Sequence, residues 1–124
     1  MSDSSHEQQI ESLVSRTPEK ENTGSDPESQ DFFKDLLASS FAFRRRTGAV
    51  IDRQDFLDAL STGGDRRIID EPTIQLMGSE RATARYNVSM TVDGVLRRFD
   101  NLQIFIRDEA GLWKLLAWAN EEAE

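Results

Sequence analysis

The sequence predicts an α+β domain in which two or three N-terminal helices precede an antiparallel meander of strands. Three observations carry that reading. Helix-spaced apolar residues behind capping residues occur only ahead of the Gly63-Gly64 pair. Beyond it, apolar and polar residues alternate with a period of two between turn signals. The chain is 124 residues long, 37% apolar and free of cysteine, so one hydrophobic core must hold it without disulfides.

The first candidate helix is SSHEQQIESLVSRTP. Ser4 or Ser5 caps it, its apolar stripe is only Ile10, Leu13 and Val14, and Pro18 is expected just past its end. So thin a stripe predicts a helix that docks weakly or frays. EKENTGSDPESQ is polar and contains Gly and Pro, the composition of a linker. Residues 1–26 are therefore expected to form an acidic N-terminal segment, 27–120 a single domain, and 121–124 an acidic tail. Asp26-Pro27 opens a second helix, with Phe32, Phe33, Leu36 and Leu37 on one face. SFAFRRRTG then switches to period two, placing Phe41, Phe43 and Arg45 on one side before a turn at Gly48. Asp52 caps a further helix that presents Phe56, Leu57 and Leu60, and Gly63-Gly64 stops it.

Everything after that reads as strand. RRIIDEPTIQLMG is interrupted by Pro72, which predicts an edge or a bulge. ERATARYNVSMTV puts Ala82, Ala84, Tyr86, Val88, Met90 and Val92 on one face and polar residues on the other. Asp93-Gly94 is a tight-hairpin signal. VLRRFDNLQIFIR returns, DEAG turns, and LWKLLAWAN closes the sheet. This last hairpin is apolar on both faces: Leu102, Ile104 and Ile106 share one parity and Phe105 has the other. Trp113 and Trp118 have opposite parities, which predicts that they serve opposite sides of the sheet. Each apolar face needs a cover, because a contiguous exposed apolar patch is unusual on a monomer.

The net charge of −8 is uneven. Residues 1–31 hold eight acids against two bases and 121–124 add three acids, whereas 32–120 hold thirteen bases and twelve acids. Acidity at the ends disfavours nucleic acid, and no aromatic-interleaved basic stripe accompanies the RRR, RR and RR clusters at 44–46, 66–67 and 97–98. No apolar run is long enough to span a membrane. No basic region followed by an apolar stretch opens the chain, so a cytoplasmic location is the expectation. The lone histidine, His6, lies in the polar N-terminal segment and is expected to be exposed and inert. Without cysteine or a second histidine, no serine–histidine or cysteine–histidine arrangement is possible, and no phosphate loop or paired-histidine metal motif occurs. No metal or cofactor is expected. Asp100 has outer-face parity and is expected to pair with Arg98 or a neighbouring strand.

The element order, together with FAFRRRTGAVIDRQDFLDAL and IFIRDEAGLWKLLAW, resembles the nuclear-transport-factor-two-like superfamily, and within it the small SnoaL-like and ketosteroid-isomerase-like domains. The resemblance covers roughly residues 27–120. It implies a cystatin-like cone, a strongly curved antiparallel sheet wrapped around the helices, with a pocket between them and frequent homodimers through the outer face. By that geometry Phe43, Arg45, Tyr86, Val88, Phe99, Asn101, Gln103, Phe105, Leu116, Trp118 and Asn120 line the pocket. Leu102, Ile104 and Ile106 then form the dimer surface.

Ketosteroid isomerases place a carboxylate base on the first strand, with a second acid and a tyrosine for the oxyanion. The matching positions here are Arg45 and Gln103, and the only tyrosine is Tyr86 on a strand, which argues against that reaction. Three readings stay open. The pocket binds a small anionic or carbonyl-bearing molecule through Arg45, Asn101 and Gln103; or it belongs to a cyclase-, isomerase- or hydratase-type enzyme; or it is filled by its own side chains in a pure interaction module. An empty cavity reached by Arg45, Asn101 and Gln103 favours the first two, a filled one the third.

Overall fold

The computed structural model describes residues 3–123. Helix α1 (Asp3–Asn22) leads into α2 (Pro27–Leu36), which passes without a loop into β1 (Leu37–Arg44). The short β2 (Val50–Asp52) and α3 (Arg53–Ala59) come next. The remaining strands are β3 (Arg67–Ile68), β4 (Thr73–Leu76), β5 (Arg81–Val92), β6 (Val95–Arg107) and β7 (Trp113–Glu122). The seven strands make one curved sheet in the order β2-β1-β7-β6-β5-β3, with β4 also on β5. Every pairing is antiparallel except β1 with β7, so the sheet is mixed rather than wholly antiparallel.

Local chemistry accounts for most boundaries. Pro27 starts α2 as expected, although the Asp26 side chain makes no capping bond. Asp52 does cap α3, accepting from the Asp55 N–H at 2.9 Å. Asp93 and Gly94 both take positive φ, 51° and 79°, the paired left-handed turn that joins twisted strands most tightly. Interruption at Pro72 divides the edge into β3 and β4, which pair with successive parts of β5.

Helix α1 departs most from expectation. It runs through Pro18 to Asn22, and its stripe is wider than Ile10, Leu13 and Val14. Ile10 and Val14 are fully buried, and Thr17 joins them while its hydroxyl donates to the Leu13 carbonyl at 2.8 Å. Pro18 forfeits one backbone hydrogen bond but is itself buried, so packing offsets the loss. Nor is His6 an exposed tail residue. It is buried edge-on against Trp113, whose indole N–H donates to His6 Nδ1 at 3.3 Å. The steps His6, Ile10, Val14, Thr17, Glu21 are four, four, three and four residues, one continuous helical face. The connection from α1 to α2 is tied down as well: Thr23 bridges Thr62, and Ser25 and Thr62 exchange backbone-to-hydroxyl bonds at 3.1 and 3.0 Å.

Between helices and sheet the core is aromatic. Phe56 touches Phe33, Phe41, Phe43 and Trp118 with ring centroids 5.2 to 5.8 Å apart, and Phe43 stacks on Trp118 at 4.5 Å. Phe105 and Leu115 close the deeper end, both fully buried.

A one-residue irregularity in β7 sets which side chains face this core. Ile104 pairs with Ala117 but Phe105 with Leu115, so Leu116 is an extra residue opposite no partner. The bulge reverses parity. Trp113 and Leu115 point inward before it and Trp118 after it, so both tryptophans are buried on the same side. The expectation that they serve opposite faces is wrong for that reason, and Leu116, expected in the pocket, gives its place to Leu115.

Candidate functional site

Cross-strand register arranges the inner face of the sheet in rows. Tyr86, Asn101 and Asn120 sit side by side across β5, β6 and β7. The next row inward is Ala84, Gln103 and Trp118, continued on β1 by Phe43; beyond it lie Ala82, Phe105 and Leu115. Toward the open end stand Val88 and Phe99. One polar row, Tyr86, Asn101 and Asn120, thus lies between the aromatic interior and the mouth, with Gln103 the lone polar side chain in the row behind it.

Asn101 is fully committed. Its carbonyl accepts from Trp118 Nε1 at 2.9 Å and Asn120 Nδ2 at 2.8 Å, while its own Nδ2 donates to the Phe99 carbonyl at 3.2 Å. Gln103 is the opposite case. It is 0% exposed, and neither amide atom has a partner among the described residues. The buried Tyr86 hydroxyl also lacks one. Each such orphan costs about 1–3 kcal/mol relative to a satisfied group.

At the mouth, a cavity of about 30 Å³ is bounded by Asn101, Asn120, Trp118 and Phe99 from the sheet, Glu21 from the last turn of α1, and Arg66. That volume holds one or two waters or the head of a small ligand. Arg66 is held by α1: its backbone N–H and guanidinium both donate to Asn22 Oδ1, and Asn22 Nδ2 returns a bond to the Arg66 carbonyl. Glu21 lies 3.6 Å from Arg66, with 17% of its side chain exposed. Burial pushes the Glu21 carboxyl up to about 7, against the opposing pull of Arg66 and then Arg45. Burial, and secondarily the charge on Glu21, holds Tyr86 well above the ordinary phenol range, so its hydroxyl keeps its proton.

Phe43, Tyr86, Val88, Phe99, Asn101, Gln103, Phe105 and Trp118 are buried on the inner face, and Asn120 is half-buried among them. Arg45 does not line it. β1 ends at Arg44, and Arg45 enters a turn closed by its N–H to the Ala49 carbonyl and by the Gly48 N–H to its own carbonyl, both 2.8 Å. It is exposed at the rim, near enough to lower Glu21. Asp100 is also exposed, and Arg98 pairs with Asp70 at 3.4 Å instead.

Glu21 is the residue that sequence reasoning missed. Its signal is the helical spacing from Thr17, hidden because the stretch reads as linker. The distant arginine clusters also meet here: Arg45 acts on Glu21, Arg46 lies 5.9 Å over the Phe99 ring, Arg66 lines the cavity, and Arg97 bridges to Glu122 at 3.0 Å.

Three other depressions are larger. An open groove of about 730 Å³ runs between α1 and α2 over Leu13, Phe32 and Leu36. A second, of about 240 Å³, lies on the outer sheet face over Ala42, Val50, Leu102, Ile104, Ala117 and Ala119. A third, of about 460 Å³, is lined by Asp70, Glu71, Arg85 and Asp100 together with Tyr86 and Asn101, and Gln103 lines none of the four.

No protein-family model and no curated protein matches the chain. Solved structures do. A nuclear transport factor 2 (NTF2-like) superfamily protein from Salmonella enterica covers 99% of this chain and 94% of its own, with a TM-score of 0.82 at 13% identity. The chain has the NTF2-like fold. An NTF2-like protein of unknown function from Prochlorococcus marinus covers 100% and 95%, with a TM-score of 0.72 at 20% identity. An uncharacterized protein with a cystatin-like fold from Caulobacter vibrioides covers 95% and 89%, with a TM-score of 0.75 at 13% identity. At these identities the NTF2-like likeness is one of fold alone. The resemblance read from the two sequence words holds at that level.

Proposed function

We propose that this NTF2-like domain, of the SnoaL-like kind and cytoplasmic, binds a small anionic or carbonyl-bearing molecule at the polar mouth of its cone. One observation carries the reading: the cavity at the mouth brings the Arg66 guanidinium and the Glu21 carboxyl together with the Asn101 and Asn120 amides. Small-molecule sites are concave with a few converging polar groups, and a carboxylate or carbonyl oxygen is the acceptor that the Arg66 guanidinium can serve there. Arg66 replaces Arg45 as the cation of the site. The cavity is only about 30 Å³, so just a small head enters. Ketosteroid isomerase chemistry stays disfavoured, since the strand position for the base is the exposed Arg45 and the second acid is Gln103.

Thermal shift against short carboxylates, with amides and ketones of matched size, tests this reading. Stabilisation that grows with ligand concentration and disappears in Arg66→Leu is the expected result. A flat response from the wild type across the panel counts against it.

A homodimer is the accompanying reading, favoured by the apolar groove on the outer face, where Val50 is 67% and Ile104 36% exposed. Leu102 and Ile106 flank Ile104 and are half-buried. On this reading Ile104→Glu converts a dimer to a monomer in sedimentation equilibrium, and a wild type that sediments as a monomer removes the argument.

A further inference from the structure

The rim of the mouth is basic although the chain is acidic. Arg45, Arg46, Arg66 and Arg97 gather there from three separate sequence clusters, against Glu21 and Glu122. Arg97 is already paired with Glu122, and Arg46 lies over Phe99. Arg66 is the one of these four that bounds the cavity, and its carboxylate partner, Glu21, bounds it too. The other groups around Glu21 are the Arg45 guanidinium from the turn after β1 and the protonated Tyr86 hydroxyl from β5. β6 and β7 contribute only neutral side chains to the cavity, Phe99, Asn101, Trp118 and Asn120.

An anionic ligand in this cavity therefore meets one attractive charge and one repulsive charge 3.6 Å apart. Two negative charges sharing one arginine in a confined site repel strongly, and the least costly relief is to neutralise one of them. Deepening the pocket reading, on which it rests, we infer that the mouth takes up a small carboxylate headgroup together with one proton: the ligand replaces Glu21 as the anionic partner of Arg66, and Glu21 takes the proton from solvent. Neutral Glu21 then offers an O–H donor to the bound carboxylate, where ionised Glu21 offers only acceptors. The position of the Glu21 carboxyl near 7 makes this exchange cheap at neutral pH. Carboxylates of free acids ionise near 4–5, so the ligand stays charged throughout the range where Glu21 titrates.

The test is an NMR titration of the full chain with acetate, propionate and benzoate from about pH 6 to about pH 8.5, where the ligands are fully ionised. One proton taken up per ligand requires affinity to fall by about tenfold for each pH unit above the Glu21 transition. Glu21→Gln, a permanently neutral isostere, should bind at every pH with the low-pH affinity of the wild type. Arg66→Gln should lose binding throughout, with the backbone spectrum reporting that the fold is kept. Wild-type binding that is independent of pH, or a Glu21→Gln variant with the same pH profile as the wild type, overturns the proton coupling while leaving the pocket reading standing. No binding by wild type or Glu21→Gln at any pH overturns both.

Discussion

The interior of the cone and its mouth are built from the same strands, yet they solve opposite problems. Phe56 and the four aromatic rings around it interlock. In the same row as Phe43 and Trp118, Gln103, and one row nearer the open end, Tyr86, carry polar atoms with no partner among the described residues. Glu21 has a carboxyl that its surroundings hold toward the neutral form. The interior is optimised for stability; the mouth sacrifices some of it. Where a fold places costly polar groups next to a well-packed core, the polar groups are the better guide to function.

That contrast can be broken from either side. The largest effect should come from the interior: Phe105→Ala or Phe33→Ala removes a fully buried ring and should cost about 3–5 kcal/mol in chemical denaturation. Slightly smaller is Ile10→Ala, expected to cost about 2–4 kcal/mol, because Ile10 is buried where a weakly docked helix would leave it free. A cost below about 0.5 kcal/mol would restore the picture of a fraying α1.

Only about half of this contrast was legible in the sequence. Helix starts at Pro27 and Asp52, the Asp93-Gly94 hairpin and the alternation of β5 come from local chemistry, and they suffice to reach an α+β plan. Inner-face residues on β5 and β6 were readable because those strands pair without interruption over their full length. β7 was not, since one bulged residue at Leu116 reverses the parity of everything on one side of it, and periodicity carries no mark of an insertion. Arg45 failed for a related reason: alternation says which side a residue faces only while the strand lasts. His6 and Glu21 were lost because neither is apolar, although both extend the buried face of α1 at helical spacing.

At the mouth, effects are smaller and their signs differ. Glu21 is raised in the folded state, so between about pH 4.5 and 7 the folded protein binds more protons than the unfolded chain, and stability falls as pH rises through that window. Glu21→Gln should therefore be more stable than the wild type at about pH 8, by on the order of 2 kcal/mol, with the gain shrinking to little near pH 4.5. Denaturant melts at the two pH values check this; a variant that loses stability at high pH would mean that the ion pair with Arg66 outweighs burial.

The most direct test of the division between interior and mouth is Gln103→Leu, melted with and without a short carboxylate. An apolar side chain of similar size removes two orphaned polar atoms, so the variant should melt at or above the wild type, by up to about 1–2 kcal/mol, and, because Gln103 does not line the cavity, should keep its response to the carboxylate. A variant destabilised by more than about 1 kcal/mol, or one that no longer responds to the carboxylate, would contradict the account, since the Gln103 amide would then make contacts that hold the interior or the site.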